Sequence, residues 1–199
     1  MTDADRIVAV GINHLGAPVA CRERATVPAA RVPETLAELK ARFGLSEIAI
    51  LSTCSRVEVF GVLADGGSAD GLAGRSPAVP ALAGAMGADG LVEWFAGRVG
   101  PEGRSSVYVK RGREVVGHLF RVASGLDSWI IGESEILAQV KLAYQTAQGL
   151  KLTGRFLNRL FQSALAAGKS VRARTGIQHG IHSIGGAAAL VAKGIFREA

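Results

Sequence analysis

The sequence predicts an α+β fold: a small, mainly antiparallel sheet with packed helices, followed by a helical subdomain. Three observations point there. Apolar runs of strand type are confined to the stretch before residue 111, helical periodicity dominates after residue 113, and no regular strand–helix alternation is present that would build a doubly wound parallel sheet. With 199 residues, 48% hydrophobic and only 6% aromatic, the chain can bury one medium core filled chiefly by Leu, Val, Ile and Ala.

In chain order, "RIVAVGI" (6–12) is the first strand, and "VPETLAELKARFG" (32–44) has apolar residues at helical spacing with a Gly stop. "EIAILST" (47–53) reads as a buried strand, and "RVEVFGVL" (56–63) alternates like a half-buried one. Cys54 and Ser55 therefore fall in a tight connection between two strands. The stretch 64–90, rich in Gly, Ala, Ser and Pro, reads as a loose connection with one short helix. "SVYVK" (106–110) is a further strand, and helices are predicted over 113–124, 132–148, 154–174 and 183–197. On 113–124 the stripe Val115, Val116, Leu119, Phe120 and Ala123 should face the core, leaving His118 off it and not a satisfied core histidine. On 132–148 the core side is Ile136, Val140, Ala143 and Tyr144. On 154–174 it is Leu157, Leu160, Phe161, Ala164, Leu165 and Val171, with Arg155, Arg159 and Lys169 forming a basic ridge away from it.

Cys21 and Cys54 are too few for a disulfide framework, and no paired-Cys or Cys/His spacing suggests a metal, so no metal is expected. Neither a signal segment nor an apolar run long enough to span a bilayer occurs, so the expected location is the cytoplasm, with free thiols and no membrane partner. The net charge is +6, and between Ile136 and Arg197 there is no Asp or Glu. A block of one sign suits a polyanion; an Arg-rich solvated surface is the plainer alternative.

Two constellations carry candidate chemistry. A thiol reacts as thiolate and profits from nearby positive charge, oriented N–H groups and solvent. Cys54 has Arg56 two residues on, but Cys21 has Arg22 and Arg24, and either cysteine could be a small buried hydrophobe; local charge does not choose. The second constellation is "GLDSWIIGESEILAQVKLAY" (125–144), a glycine-flanked turn leading into a helix on which Glu135 and Gln139 share a face. Glu133 and Glu135 suit a helix start by charge alone, and the same polar groups would suit a small zwitterionic substrate.

"STCSRVEVF", "HLFRVASGLDSWIIGESEILAQVKLAY" and "FQSALAAGKSVRARTGI", with "VGINHLGAPVACRERA" near the start, resemble in order and spacing the N-terminal catalytic domain of the glutamyl-tRNA reductase family. The resemblance covers almost the whole chain and is weakest over 64–105. It implies a catalytic domain over 1–175, with 176–199 a linker helix leading toward an NADPH-binding domain that the 199 residues do not include. It further implies that Cys54, not Cys21, attacks the ester of glutamyl-tRNA to form a thioester, which NADPH reduces to glutamate-1-semialdehyde for tetrapyrrole synthesis. His118 matches an activity-supporting histidine, a proton donor or base. Thr53, Ser55, Arg56, Ser128, Glu133, Ser134, Glu135 and Gln139 match substrate positions, with Arg56 a partner for a substrate carboxylate. The implied partners are glutamyl-tRNA, a second copy of the chain through a C-terminal domain, and an aminomutase. Three positions depart from the family pattern: Ser55 stands where Asn is usual, Glu135 where Gln is, and Ala138 where Gly is. Two other readings of the residues are a stand-alone Cys-dependent aminoacyl-tRNA acyltransferase or esterase, and a non-catalytic module that binds charged tRNA.

Overall fold

A computed structural model describes residues 6–64, 86–178 and 184–197. The order of elements is β1 (Ile7–Asn13), α1 (Val19–Ala25), α2 (Val32–Phe43), β2 (Leu45–Ser52), β3 (Arg56–Leu63), α3 (Gly87–Val99), β4 (Tyr108–Arg111), α4 (Arg113–Ser124), α5 (Glu135–Gly149), α6 (Arg155–Arg174) and α7 (Ile184–Arg197). Most of the loose connection expected over 64–90 lies outside the described residues; its last part begins α3.

The four strands form one antiparallel sheet in the order β2-β3-β1-β4. β1 is apolar from Ile7 to Ile12 because it is central, with β3 on one side and β4 on the other. Strand residues two apart share a face. Ala9, Gly11, Glu58 and Phe60 therefore lie on one face, which receives α4 and α6: Phe60 meets Phe161 edge-on at 5.4 Å and stacks on His118 at 6.5 Å. Val8, Val10, Ile12, Val57 and Val59 lie on the other, where α3 contacts β1 and α2 contacts β2; all five are fully buried. One continuous apolar cluster joins the sheet to α2 through α6.

β3 is thus not the half-buried strand its alternation suggests. Both of its faces are covered, and the alternate polar residues Arg56 and Glu58 are wholly inside. α4 is rotated to match. Val115, Leu119, Val122 and Ala123 are buried as apolar residues, Val116 is exposed, and His118, expected off the packing stripe, is buried at 7% exposure. It is a satisfied core histidine, since the polar face of β3 supplies its partner.

α6 begins at Glu47 of β2, whose carboxylate accepts the Phe156 and Leu157 N–H groups at 3.1 and 2.8 Å. A carboxylate there serves both the open donors and the dipole of the helix start. From that end α6 runs back along the sheet for 20 residues, about 30 Å, to Arg172, which donates to Ala123 O and Glu133 O at 2.7 and 2.9 Å. Arg155, Arg159 and Lys169 stand exposed along it, as the ridge requires. Among the described residues no helix is long and apolar enough to cross a membrane.

Candidate active site

The β2–β3 connection is a tip closed by its own hydrogen bonds. Thr53 N–H donates to Arg56 O at 2.8 Å, and the Ser55 and Arg56 N–H groups each donate to Thr53 Oγ1 at 3.2 Å. Outside contacts clamp it. His14 N–H, just past β1, donates to Ser55 O at 2.8 Å, and Arg22 Nε of α1 donates to Cys54 O at 3.2 Å. With every neighbour tied down, Cys54 is left as the exposed residue of the turn, whereas Cys21 is buried on α1 at 2% exposure. The chemical difference between the two thiols is access.

Behind the turn lies a buried polar cluster. Glu58 Oε1 accepts from Arg56 Nη1 at 3.1 Å, from His118 Nε2 at 2.9 Å and from the Tyr108 hydroxyl. Gly11 makes this possible: it pairs with Glu58 on one side and Tyr108 on the other, and a Cβ there would sit 2.9 Å from Glu58 Cγ and 2.4 Å from Val57 O. The tyrosine reaches the carboxylate across the missing side chain. Burial alone would raise the Glu58 pKa, but the hydrogen bond and charge of His118, the Arg56 guanidinium and the Tyr108 hydroxyl hold it down at about 2. Burial first, then the Glu58 charge, pushes the Tyr108 phenol well above its usual range. Glu58 is therefore an anion and Tyr108 a neutral donor throughout the neutral range.

The cluster continues into the 125–133 loop. Arg56 Nη2 donates to Asp127 O, His118 Nδ1 faces Asp127 Oδ2 at 3.7 Å, and Arg121 donates twice to Asp127 Oδ1 at 3.0 and 2.8 Å. The loop is pinched by Gly132 N–H donating to Gly125 O at 3.0 Å. Gly132, at φ 81°, lies where a Cβ would be 2.1 Å from Ile177 O. From this loop Trp129 stacks on His14 at 5.1 Å, with the Arg22 guanidinium 5.9 Å from the ring centre. Burial, then the Arg56 and Arg22 charges, lowers the His14 pKa below 6.5, so this imidazole is neutral at pH 7.

Of the residues singled out in the sequence, the structure brings Thr53, Cys54, Ser55, Arg56, His118 and Ser128 into this one region. The Arg56 side chain is fully buried and ion-paired to Glu58, so it faces the cluster. Ser55 and Ser128 are also buried; Ser128 Oγ and His14 Nδ1 have no hydrogen-bond partner among the described residues. Glu133, Ser134 and Glu135 lie where the loop enters α5, with Gln139 one turn along it; Arg172 holds the Glu133 carbonyl, and Ser134 and Glu135 are exposed. His14, Arg22, Glu58, Tyr108, Asp127 and Trp129 belong to the site and were not legible as such. The available signal was Glu58 itself, a charge in the middle of an otherwise apolar strand next to an arginine at the same phase.

Residues 10–175 match the family model for the N-terminal domain of glutamyl-tRNAGlu reductase. The chain belongs to that family. It is 41% identical over 182 residues to the glutamyl-tRNA reductase of Synechococcus sp., a match covering 92% of this chain and 39% of the relative. With the enzyme of Aquifex aeolicus the identity is 37% over 190 residues, covering 96% and 42%. The solved structure of glutamyl-tRNA reductase from Methanopyrus kandleri superposes with a TM-score of 0.69 at 35% identity, over 95% of this chain and 40% of that one. The chain therefore spans about two fifths of the length of the glutamyl-tRNA reductases it matches. Within that family, the exposed cysteine and the buried Glu58 cluster are the two features of this domain with chemical consequences.

Proposed function

We propose that this domain carries the acyl-transfer step of glutamyl-tRNA reduction, with Cys54 as nucleophile, in a tetrapyrrole pathway. The observation that carries the reading is the exposure of Cys54 on a tip clamped by hydrogen bonds, in a family whose members are named for glutamyl-tRNA. The attacking species is the thiolate. Its sulfur forms a bond to the glutamyl carbonyl carbon as the bond to the ribose oxygen breaks, and the departing oxygen takes a proton from the water around the exposed turn. The product is a Cys54 thioester and free tRNA.

Arg56, His118 and Glu58 act here as positioning residues. They lock the root of the turn to the 125–133 loop, so that Thr53 and the clamps from His14 and Arg22 hold the Cys54 backbone still. Preorganised geometry of this kind lowers the cost of reaching the attack configuration. Thr53, Ser128, Ser134, Glu135 and Gln139 are proposed to line the approach of the amino acid.

NADPH is the reductant the family implies. The sheet of the described residues is antiparallel throughout, with none of the parallel strand–helix–strand units that cradle a dinucleotide. These residues do not fit the cofactor, and no hydride step is assigned to them. We assign residues 1–175 as the thioester-forming domain and 176–199 as the linker beyond it.

Incubation with glutamyl-tRNA followed by intact-mass measurement tests the proposal. The expected result is a glutamyl adduct on Cys54, absent from Cys54→Ser. Persistent binding of tRNA with no adduct would replace this reading by that of a tRNA-binding module.

A further inference from the structure

The Cys54 turn has an aromatic wall that the acyl-transfer step does not use. Trp129 is 59% exposed although one interaction surface is already taken by His14 and Arg22. Those two residues are the clamps of the turn, holding Ser55 O and Cys54 O respectively. The indole is therefore two contacts from the proposed nucleophile and is held in place by the same groups. Large apolar side chains are also exposed in the two segments that meet there: Leu15 and Val19 following His14 in the chain, and Leu126 and Ile131 on either side of Trp129. A fixed, supported and open indole next to a guanidinium is a surface for a flat, π-bearing group.

Building on the thioester reading, we propose that Trp129 is the stacking platform for the terminal base of the acyl-tRNA. The ester consumed at Cys54 is carried on the ribose of the last nucleotide, so its base lies one nucleoside from the reacting carbon. A wall two contacts from Cys54 is in range of that base. Stacking reads a π-face and not a hydrogen-bond pattern, so the platform supplies affinity and orientation of the 3′ end, while the amino acid is discriminated elsewhere.

The direct test is intrinsic fluorescence in a Trp94→Phe background, which leaves Trp129 as the sole indole. The trinucleotide CCA should quench it saturably, and CC ending in an abasic residue should not. Trp129→Ala should raise the half-saturating glutamyl-tRNA concentration about tenfold or more, and Trp129→Phe should stay within about threefold of wild type. A nucleotide-free activated glutamyl ester reads the Cys54 step apart from the platform and should acylate wild-type Cys54. Equal quenching by the two oligonucleotides, or an unaltered half-saturation in Trp129→Ala, would overturn the platform. Failure of wild-type Cys54 to react with the nucleotide-free ester would instead remove the thioester reading, and quenching specific to CCA would still support the platform.

Discussion

Cys54 and Cys21 are separated chemically by burial, because both have arginines close by: Arg22 reaches the Cys54 carbonyl, and Arg24 lies 3.4 Å from Cys21 Sγ. An exposed thiol meets reagents directly, and a buried one only after the α1–α3 packing opens. Iodoacetamide at neutral pH should therefore label Cys54 at least about tenfold faster than Cys21, read by peptide mass; preferential labelling of Cys21 would contradict the assignment. The Glu58 cluster makes a second residue-level prediction. Its folded pKa, about 2, lies below the ordinary 4.5. The stabilisation is thus complete above about pH 4.5 and disappears as pH falls toward 2, since the unfolded chain takes up the proton first. The depressed pKa of His14 works in the same direction at higher pH, beginning as pH falls through 6.5. Urea midpoints should fall with acid in both windows, and Glu58→Gln should flatten the lower one alone. Arg56→Ala, which removes the guanidinium paired with a buried carboxylate, should cost about 3–5 kcal/mol at pH 7.

At the scale of elements, what could be read from the sequence depended on who covers which face. β1 and β2 were legible because continuous apolar runs have no other use in a chain of this kind. β3 and α4 were misread together: Arg56, Glu58 and His118 each look like solvent residues alone, and only their mutual satisfaction permits burial. α3 escaped notice because Gly87, Gly90 and Gly97 weaken its helical signal, yet buried Leu91, Phe95 and Val99 hold it in place. The basic ridge of α6 was legible by periodicity. Its first turns lie at the Ile7 end of β1, where Arg155 and Arg159 line a groove of about 690 Å³ with Val116, Phe120 and Phe156. Cys54 is at the opposite end, beyond Asn13, roughly 20 Å away along the strand. A ridge so placed is too far from Cys54 to touch an amino acid held there. Arg155→Ala with Arg159→Ala should lower the salt slope of tRNA binding by about two units while leaving Cys54 alkylation unchanged. An unaltered slope would mark the ridge as a solvated face.

For the whole molecule, the antiparallel sheet places Cys54, the proposed nucleophile, at one tip, with a polar cluster behind it and its front open to solvent. Under the proposed acyl-transfer role, a thioester on so exposed a residue has no protection from water. The chain on its own should therefore deacylate glutamyl-tRNA slowly and in two steps, Cys54 attack followed by hydrolysis to glutamate and free thiol. Neither step draws on a reductant. Release of glutamate should proceed above background at equal rates with and without NADPH, and should vanish in Cys54→Ser. Glu135→Gln and Ser55→Asn test whether the departures at these positions slow the first step. Exposed Glu135 adds a negative charge near the loop, and its removal should lower the half-saturating substrate concentration, whereas Ser55 is buried within the turn and its enlargement should disturb the Thr53 hydrogen bonds before it improves any contact. NADPH-dependent semialdehyde from these 199 residues would refute the division of labour, because it would require a cofactor site within the antiparallel domain itself.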